Sequence, residues 1–179
     1  MKRNTKKAVK GSILLLLILA ITVFSLEYFS NYQVTTTIHA DAPVITRKSI
    51  VINAPVEKVW KIFSDVDDWD TWQKEIVSPA LNGQFKEGAA FDWKSNGLTI
   101  HSTLNNVQPN REVSWSGPAF GAFAIHRWHF SMQNGQTLVL VEESMEGWLV
   151  QLLAGKFQSG LDTSIDHWLA YLKVAAEEA

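Results

Sequence analysis

The sequence predicts an α+β domain in which a curved antiparallel sheet wraps one long C-terminal helix, with two short helices after the first strand and an apolar helix at the N-terminus. Three observations carry this. Turn dipeptides cluster between Ile76 and Gly147, apolar residues repeat at helical spacing from Leu149 to Leu172, and Gly11 to Leu26 form an uncharged, nearly all-apolar run. A chain of 179 residues suits one well-covered core with an appendage.

The appendage comes first. Lys2, Arg3, Lys6, Lys7 and Lys10 precede any acidic residue, the first being Glu27. A basic flank (1–10) before an apolar run is shared by secretory signals and by inside-oriented membrane helices. As a helix, the 16 residues from Gly11 to Leu26 rise roughly 24 Å, and counting on to Phe29 nearly matches a hydrocarbon core of about 30 Å. Residues 11–29 are therefore a membrane anchor or a signal segment. Val23-Phe24-Ser25 offers plausible cleavage positions, but no clean Ala-x-Ala follows. Both readings deliver the rest of the chain across the membrane: single-pass in the cell membrane with the C-terminal domain extracytoplasmic, or secreted after cleavage. Residues 30–42, with Thr35-Thr36-Thr37, read as a polar linker to a domain at 43–179.

Val44 to Asn53 is β-rich, and Ala54-Pro55 starts a helix, since proline lacks a donor that the first turn does not need. Val56, Val59, Trp60 and Phe63 fall at i, i+3, i+4 and i+7 and make one apolar stripe. Asp65-Val66-Asp67-Asp68 is expected to cap a second short helix around Trp69 and Trp72. Asn82-Gly83, Asn96-Gly97, Pro109-Asn110 and Asn134-Gly135 then punctuate five or six antiparallel strands. Leu149, Leu153, Phe157, Leu161, Ile165, Trp168 and Leu172 mark one closing helix despite Gly155 and Gly160. A curved sheet gripping a helix leaves space between them.

Composition excludes several functions. Without the five leading cations the remainder holds 11 basic against 18 acidic residues, a net charge of −7 that repels phosphate backbones. Nucleic acid is not an expected partner. The absence of cysteine removes disulfides, thiolate nucleophiles and cysteine metal sites. No nucleophile elbow, phosphate-binding loop, dinucleotide fingerprint or H-E-x-x-H zinc motif is present, and no cofactor or metal is expected.

Ile52-Asn53-Ala54-Pro55-Val56-Glu57-Lys58-Val59-Trp60 with Asp65-Val66-Asp67-Asp68-Trp69-Asp70-Thr71-Trp72, Val113-Ser114-Trp115-Ser116-Gly117, and His126-Arg127-Trp128 leading to Glu142-Glu143-Ser144-Met145-Glu146-Gly147 resemble the SRPBCC superfamily. That superfamily groups START-type lipid-binding domains, birch-pollen-allergen-like proteins and bacterial polyketide cyclase/dehydrase-like proteins. The resemblance covers about residues 44 to 178 and implies a helix-grip domain with a hydrophobic cavity. Its members range from enzymes to lipid carriers.

Tight turns fix register, so facing residues can be deduced. With Asn134-Gly135 as the turn, Met132 faces Thr137, Phe130 faces Val139, Trp128 faces Val141 and His126 faces Glu143. Arg127, His129 and Ser131 take the solvent face. Asn96-Gly97 pairs Trp93 with Ile100 and Phe91 with Ser102 inward, and Asp92 with His101 outward; Leu104 then opposes Trp115. The expected ligand-cavity wall is Phe91, Trp93, Ile100, Ser102, Leu104, Val113, Trp115, His126, Trp128, Phe130, Val139, Val141 and Glu143.

His126 and Glu143 are the one ionisable pair expected on that wall. A buried carboxylate needs a partner, and imidazole is a suitable one. The pair is a structural couple at the rim, an anchor for a ligand hydroxyl or carbonyl, or an acid/base pair; no catalytic residue is assigned beyond these two candidates. His126 and His129 lie three apart on a strand and point to opposite faces, which argues against a shared metal. Asp65, Asp67 and Asp68 lack the glycine and glutamate of a calcium loop. Gly117-Pro118-Ala119-Phe120-Gly121-Ala122-Phe123 is expected to be a flap or a wide hairpin loop, too glycine-punctuated for a strand. The tryptophans read as core or cavity wall more than as a carbohydrate platform.

Two functions are carried forward. One is a membrane-anchored binding or carrier protein for a hydrophobic small molecule or lipid, since mostly apolar pockets with one or two polar anchors suit such ligands. The alternative is a cyclase or dehydratase-type enzyme acting on a polyketide-like substrate with His126 and Glu143 as acid/base pair. A stress or envelope protein with an incidental cavity is a third reading. Oligomeric state has no sequence signal.

Overall fold

The computed structural model describes residues 2–95 and 97–178, with side chains from residue 10 onward. It divides into two compact units, Met1–Asn31 and Tyr32–Ala179. The first is the single helix α1, Lys2–Tyr28. Its stretch Lys10–Tyr28 has 19 residues with a mean hydropathy of 2.1, long and apolar enough to cross a membrane; a signal sequence passes the same test. The Thr22 and Ser25 hydroxyls donate to the carbonyls of Ile18 and Ile21, one turn back, so these polar groups are satisfied within the helix.

The second unit is the α+β helix-grip fold. One seven-stranded sheet runs in the order β1-β7-β6-β5-β4-β3-β2, with β1 at Val44–Ile52, β2 at Val77–Leu81, β3 at Ala90–Ser95, β4 at Leu98–Gln108, β5 at Glu112–Ala119, β6 at Ala122–Gln133 and β7 at Gln136–Glu146. All pairings are antiparallel. After β1 come α2 (Val56–Ser64), a 3-10 turn at Val66–Asp68 and the single turn α3 (Trp69–Trp72); after β7 come α4 (Trp148–Leu152) and α5 (Ala154–Glu178).

Register follows the turn residues. Asn134 and Gly135 both have positive φ, as the tight turn requires, and His126 faces Glu143, Trp128 faces Val141, Phe130 faces Val139 and Met132 faces Thr137. Phe91 faces Ser102, Asp92 faces His101 and Trp93 faces Ile100. Of that turn's two residues, Asn96 lies outside the described residues and Gly97 has positive φ. Leu104 faces Trp115, next to a register shift between Leu104 and Asn106.

Several expectations need correction. Gly117-Pro118-Ala119 is strand, and only Phe120 and Gly121 turn between β5 and β6. Gly117 is there because β4 crosses too close for a side chain: a Cβ would lie 2.1 Å from the His101 carbonyl oxygen. The closing helix is two helices, α4 and α5, separated at Leu153, whose φ of −121° leaves helical geometry. Pro55 sits at the N-cap of α2, with Val56 as the first helical residue. Neither Asp65 nor Asp68 makes a side-chain cap. The carboxylate that matters is Asp67, which accepts the Leu81 amide at 2.7 Å and ties the 3-10 turn to β2.

Residues 32–42, read from sequence as a spacer, make specific contacts with the sheet's outer face. Tyr32 stacks on Phe123 with ring centroids 5.0 Å apart. Asn105 donates to the Thr35 carbonyl at 3.2 Å, the Ser144 hydroxyl accepts the His39 amide at 3.1 Å, and His39 Nδ1 lies 3.2 Å from Glu146. This strap runs where Phe123 and Ile125 are buried on the face opposite the main core.

Helix α5 is held to β1 by polar contacts. The Thr46 hydroxyl donates to Asp162 at 2.5 Å, Gln158 bonds both the amide and the carbonyl of Ile45, and Lys48 reaches Asp166 at 2.6 Å. Inward, Val56, Val59 and Phe63 of α2 meet Trp115, Trp128 and Phe130 of the sheet, and Trp69 donates its indole N–H to the Phe63 carbonyl at 2.7 Å. Trp168 of α5 meets Trp69 edge-on at 5.0 Å and Trp128 at 5.7 Å. Edge-to-face rings at such distances add to the burial of their area.

Candidate functional site

The inner face is not one continuous cavity. Phe91, Leu104, Val113, Trp115, Trp128, Phe130, Val139 and Val141, expected as cavity wall, are packed into the core by α2, α3 and Trp168. Ile100 packs partly buried against that core, and the buried Ser102 hydroxyl accepts the Trp93 indole N–H at 3.0 Å. Trp69, Trp115, Trp128 and Trp168, with Phe63 and Phe130, supply enough ring volume to fill one half of the grip.

The space that remains, about 380 Å³, lies under the first turns of α5. Trp93, His126, Glu143 and Met145 line it from the sheet, and Leu153, Lys156, Phe157, Gly160, Leu161, Ser164, Ile165 and Trp168 from the helical side. Three of these are residues the register argument placed on the wall. The helical half was missed because only sheet faces were registered. Its signal was nonetheless in the sequence: Leu153, Phe157, Leu161, Ile165 and Trp168 form the apolar stripe, and Gly160 interrupts it. A Cβ at Gly160 would meet nothing within 4 Å, so this glycine leaves room rather than permitting a close approach.

The polar point of the pocket is the His126–Glu143 pair. Nδ1 of His126 lies 2.7 Å from the Glu143 carboxylate, with side chains 12% and 4% exposed. Trp115 stacks on the imidazole at 4.8 Å and 14°, and Trp93 meets it edge-on at 6.2 Å. The ring is thus held between aromatic walls with Nδ1 engaged, an arrangement that fixes tautomer and orientation. Lys156 and Ser164 are the other polar side chains on the lining.

The remaining ionisable groups lie elsewhere. Asp92 and His101 pair at 2.6 Å on the outer face, exposed as expected. Arg127 and His129, expected on the solvent face, share a network: Arg127 bridges Glu112 and Glu142, His129 meets Glu112 at 3.2 Å, and Arg47 meets Glu142 at 2.8 Å. Among the described residues no cluster of three or more His, Asp or Glu is placed to hold a metal.

A family model described as polyketide cyclase / dehydrase and lipid transport matches residues 32–172. The chain belongs to this family. The match starts at Tyr32, where the strap begins, and runs into the last turns of α5. Solved structures share the cyclase/dehydrase fold at low identity. A hypothetical protein from Helicobacter pylori is 16% identical with a TM-score of 0.69, over 82% of this chain and 99% of that one. An aromatase/cyclase from a Streptomyces species is 13% identical with a TM-score of 0.64, over 74% and 93%. A START superfamily protein from Mycobacterium smegmatis is 14% identical with a TM-score of 0.54, over 72% and 98%. A search of curated proteins finds no match. Family and fold together make this an SRPBCC protein of the ligand-binding or cyclase kind.

Proposed function

We propose that the protein is a membrane-anchored binding or carrier protein that takes a hydrophobic small molecule or lipid into the pocket under α5, with α1 as an uncleaved single-pass anchor and the domain extracytoplasmic. The observation that carries this reading is the pocket's composition: an aromatic and aliphatic lining with one oriented polar pair, His126 and Glu143. Such a site binds by apolar burial and orients its ligand through one hydroxyl or carbonyl. The apolar helix favours ligands that partition into a bilayer.

A cyclase or dehydratase on a polyketide-like substrate is the second reading, favoured by the same pair. With Nδ1 held by a carboxylate, Nε2 is left as the nitrogen to exchange a proton with a bound substrate.

The test uses the full chain purified in detergent, with bound molecules identified by native mass spectrometry and solvent extraction. A co-purifying hydrophobe is expected, and a pocket empty in every preparation overturns the carrier. His126→Gln and Glu143→Gln then separate the readings. Lost affinity assigns the pair to anchoring, lost turnover with retained affinity assigns it to catalysis, and no change in either removes both roles.

A further inference from the structure

Resting on the anchored reading above, we infer that the domain docks onto the bilayer its own α1 enters, through an apolar patch made by the β5–β6 hairpin tip and α4, so that the pocket mouth faces the lipid. Phe120 at the tip is 57% exposed, and Leu152 and Leu153 are 72% and 38% exposed. Phe120 meets Trp148 edge-on at 5.5 Å, and Trp148 and Leu152 stand one turn apart on α4. The Leu149 amide donates to the Gly121 carbonyl at 3.0 Å, which fastens helix to tip. An aromatic and leucine cluster carried by a rigid hairpin and helix suits the interfacial zone of a membrane, where tryptophan concentrates.

Two observations choose a bilayer over another occupant. The first is the tether. Phe29 and Ser30 still bond back into α1, to Ser25 and Glu27, while Tyr32 is already stacked on Phe123. Two residue steps from Ser30 to Tyr32 span at most about 7 Å of extended chain. The Tyr32 hydroxyl also lies beside Gly147, where a Cβ would meet it at 2.9 Å and the Gly121 carbonyl oxygen at 2.4 Å. The chain therefore enters the domain, at Tyr32, by the base of the same hairpin and α4 that carry the patch. The second is the pocket. Leu153, Lys156 and Phe157, which follow α4 directly, line it. A hydrophobe leaving the bilayer at this patch enters without crossing water.

The absence of cysteine makes the test direct, because each introduced thiol is unique. The full chain in phosphatidylcholine vesicles carries an environment-sensitive fluorophore at Leu152→Cys, at Leu98→Cys as an exposed control on β4, or at Ile18→Cys in α1. Shallow or deep spin-labelled phosphatidylcholine is the quencher. Docking predicts a blue-shifted position-152 label quenched at least twofold by shallow spin labels, and a position-98 label that is neither. Water-like, unquenched emission at 152 overturns docking. A blue shift at 152 without lipid quenching also overturns it, by assigning the patch to a second copy or another protein. The position-18 label reports separately: deep quenching there with none at 152 keeps the anchor and removes the docking, whereas quenching at 152 without it keeps the docking and removes the anchor.

Discussion

The two halves of the grip are built from one sheet and one helix, yet one is solid and the other is open. Beneath α2 and α3, Phe63, Trp69, Trp115, Trp128 and Trp168 interlock edge-to-face and tilted, and the space is full. Beneath the start of α5, the helix offers Gly160 and Ser164 where it would need large side chains to close, and a pocket survives. Packed rings and open pocket thereby occupy different ends of the same core. In such an arrangement a pocket can tolerate a poorly filled interior because the neighbouring ring cluster supplies the packing.

The most damaging way to break this division is to empty the closed half. Trp69→Ala should lower unfolding free energy by roughly 3–5 kcal/mol, measured by urea denaturation; a loss below about 1.5 kcal/mol would show that the rings are not the main support. Next in size is the polar pair. Glu143→Ala should cost about 2 kcal/mol by leaving His126 without its buried partner, and a double-mutant cycle with His126→Ala should give a coupling of about 1 kcal/mol or more. Near-zero coupling would make the pair two independent rim residues. Filling the open half should do the reverse of the first change. Gly160→Leu should raise stability by up to about 1 kcal/mol through helix propensity while abolishing retention of the co-purified hydrophobe; unaltered ligand content would move the binding site elsewhere.

A smaller effect tests the joint that keeps α5 over both halves. The hydrogen bond from Thr46, helped by Gln158 and Lys48 and opposed by desolvation, holds the Asp162 carboxyl below the usual carboxylate range. The folded value lies below the unfolded one, so this contribution is complete above the ordinary carboxylate pKa and fades as pH falls through the lower folded value. Thr46→Val should cost about 1 kcal/mol at neutral pH and flatten the acid limb of the stability profile. An unchanged acid limb would assign the joint to packing alone.

The closed half was easier to read from sequence than the open one, for a physical reason. Turn dipeptides fix register, and register fixes which side chains share a face, so the inward placement of Trp115, Trp128 and Phe130 followed from Asn134-Gly135 and Pro109-Asn110. Face does not tell depth. Whether Trp115 walls a cavity or fills it depends on how closely Trp69 and Trp168 approach from elements distant in sequence. The strap was missed for a similar reason: residues 32–42 bind through single side chains such as Tyr32 and His39, which leave no periodic trace. Gly117 misled, because a glycine demanded by the neighbouring His101 carbonyl looks in sequence like one demanded by a turn.

The docked strap has a consequence for proteolysis. A protease cutting before Tyr32 would free a domain with the Tyr32–Phe123 stack and the His39–Glu146 contact intact, whereas one cutting after His39 would strip both and uncover Phe123. Severance at Phe29 to Asn31 thus leaves the strap whole, and a fragment that begins after His39 forfeits part of its own surface.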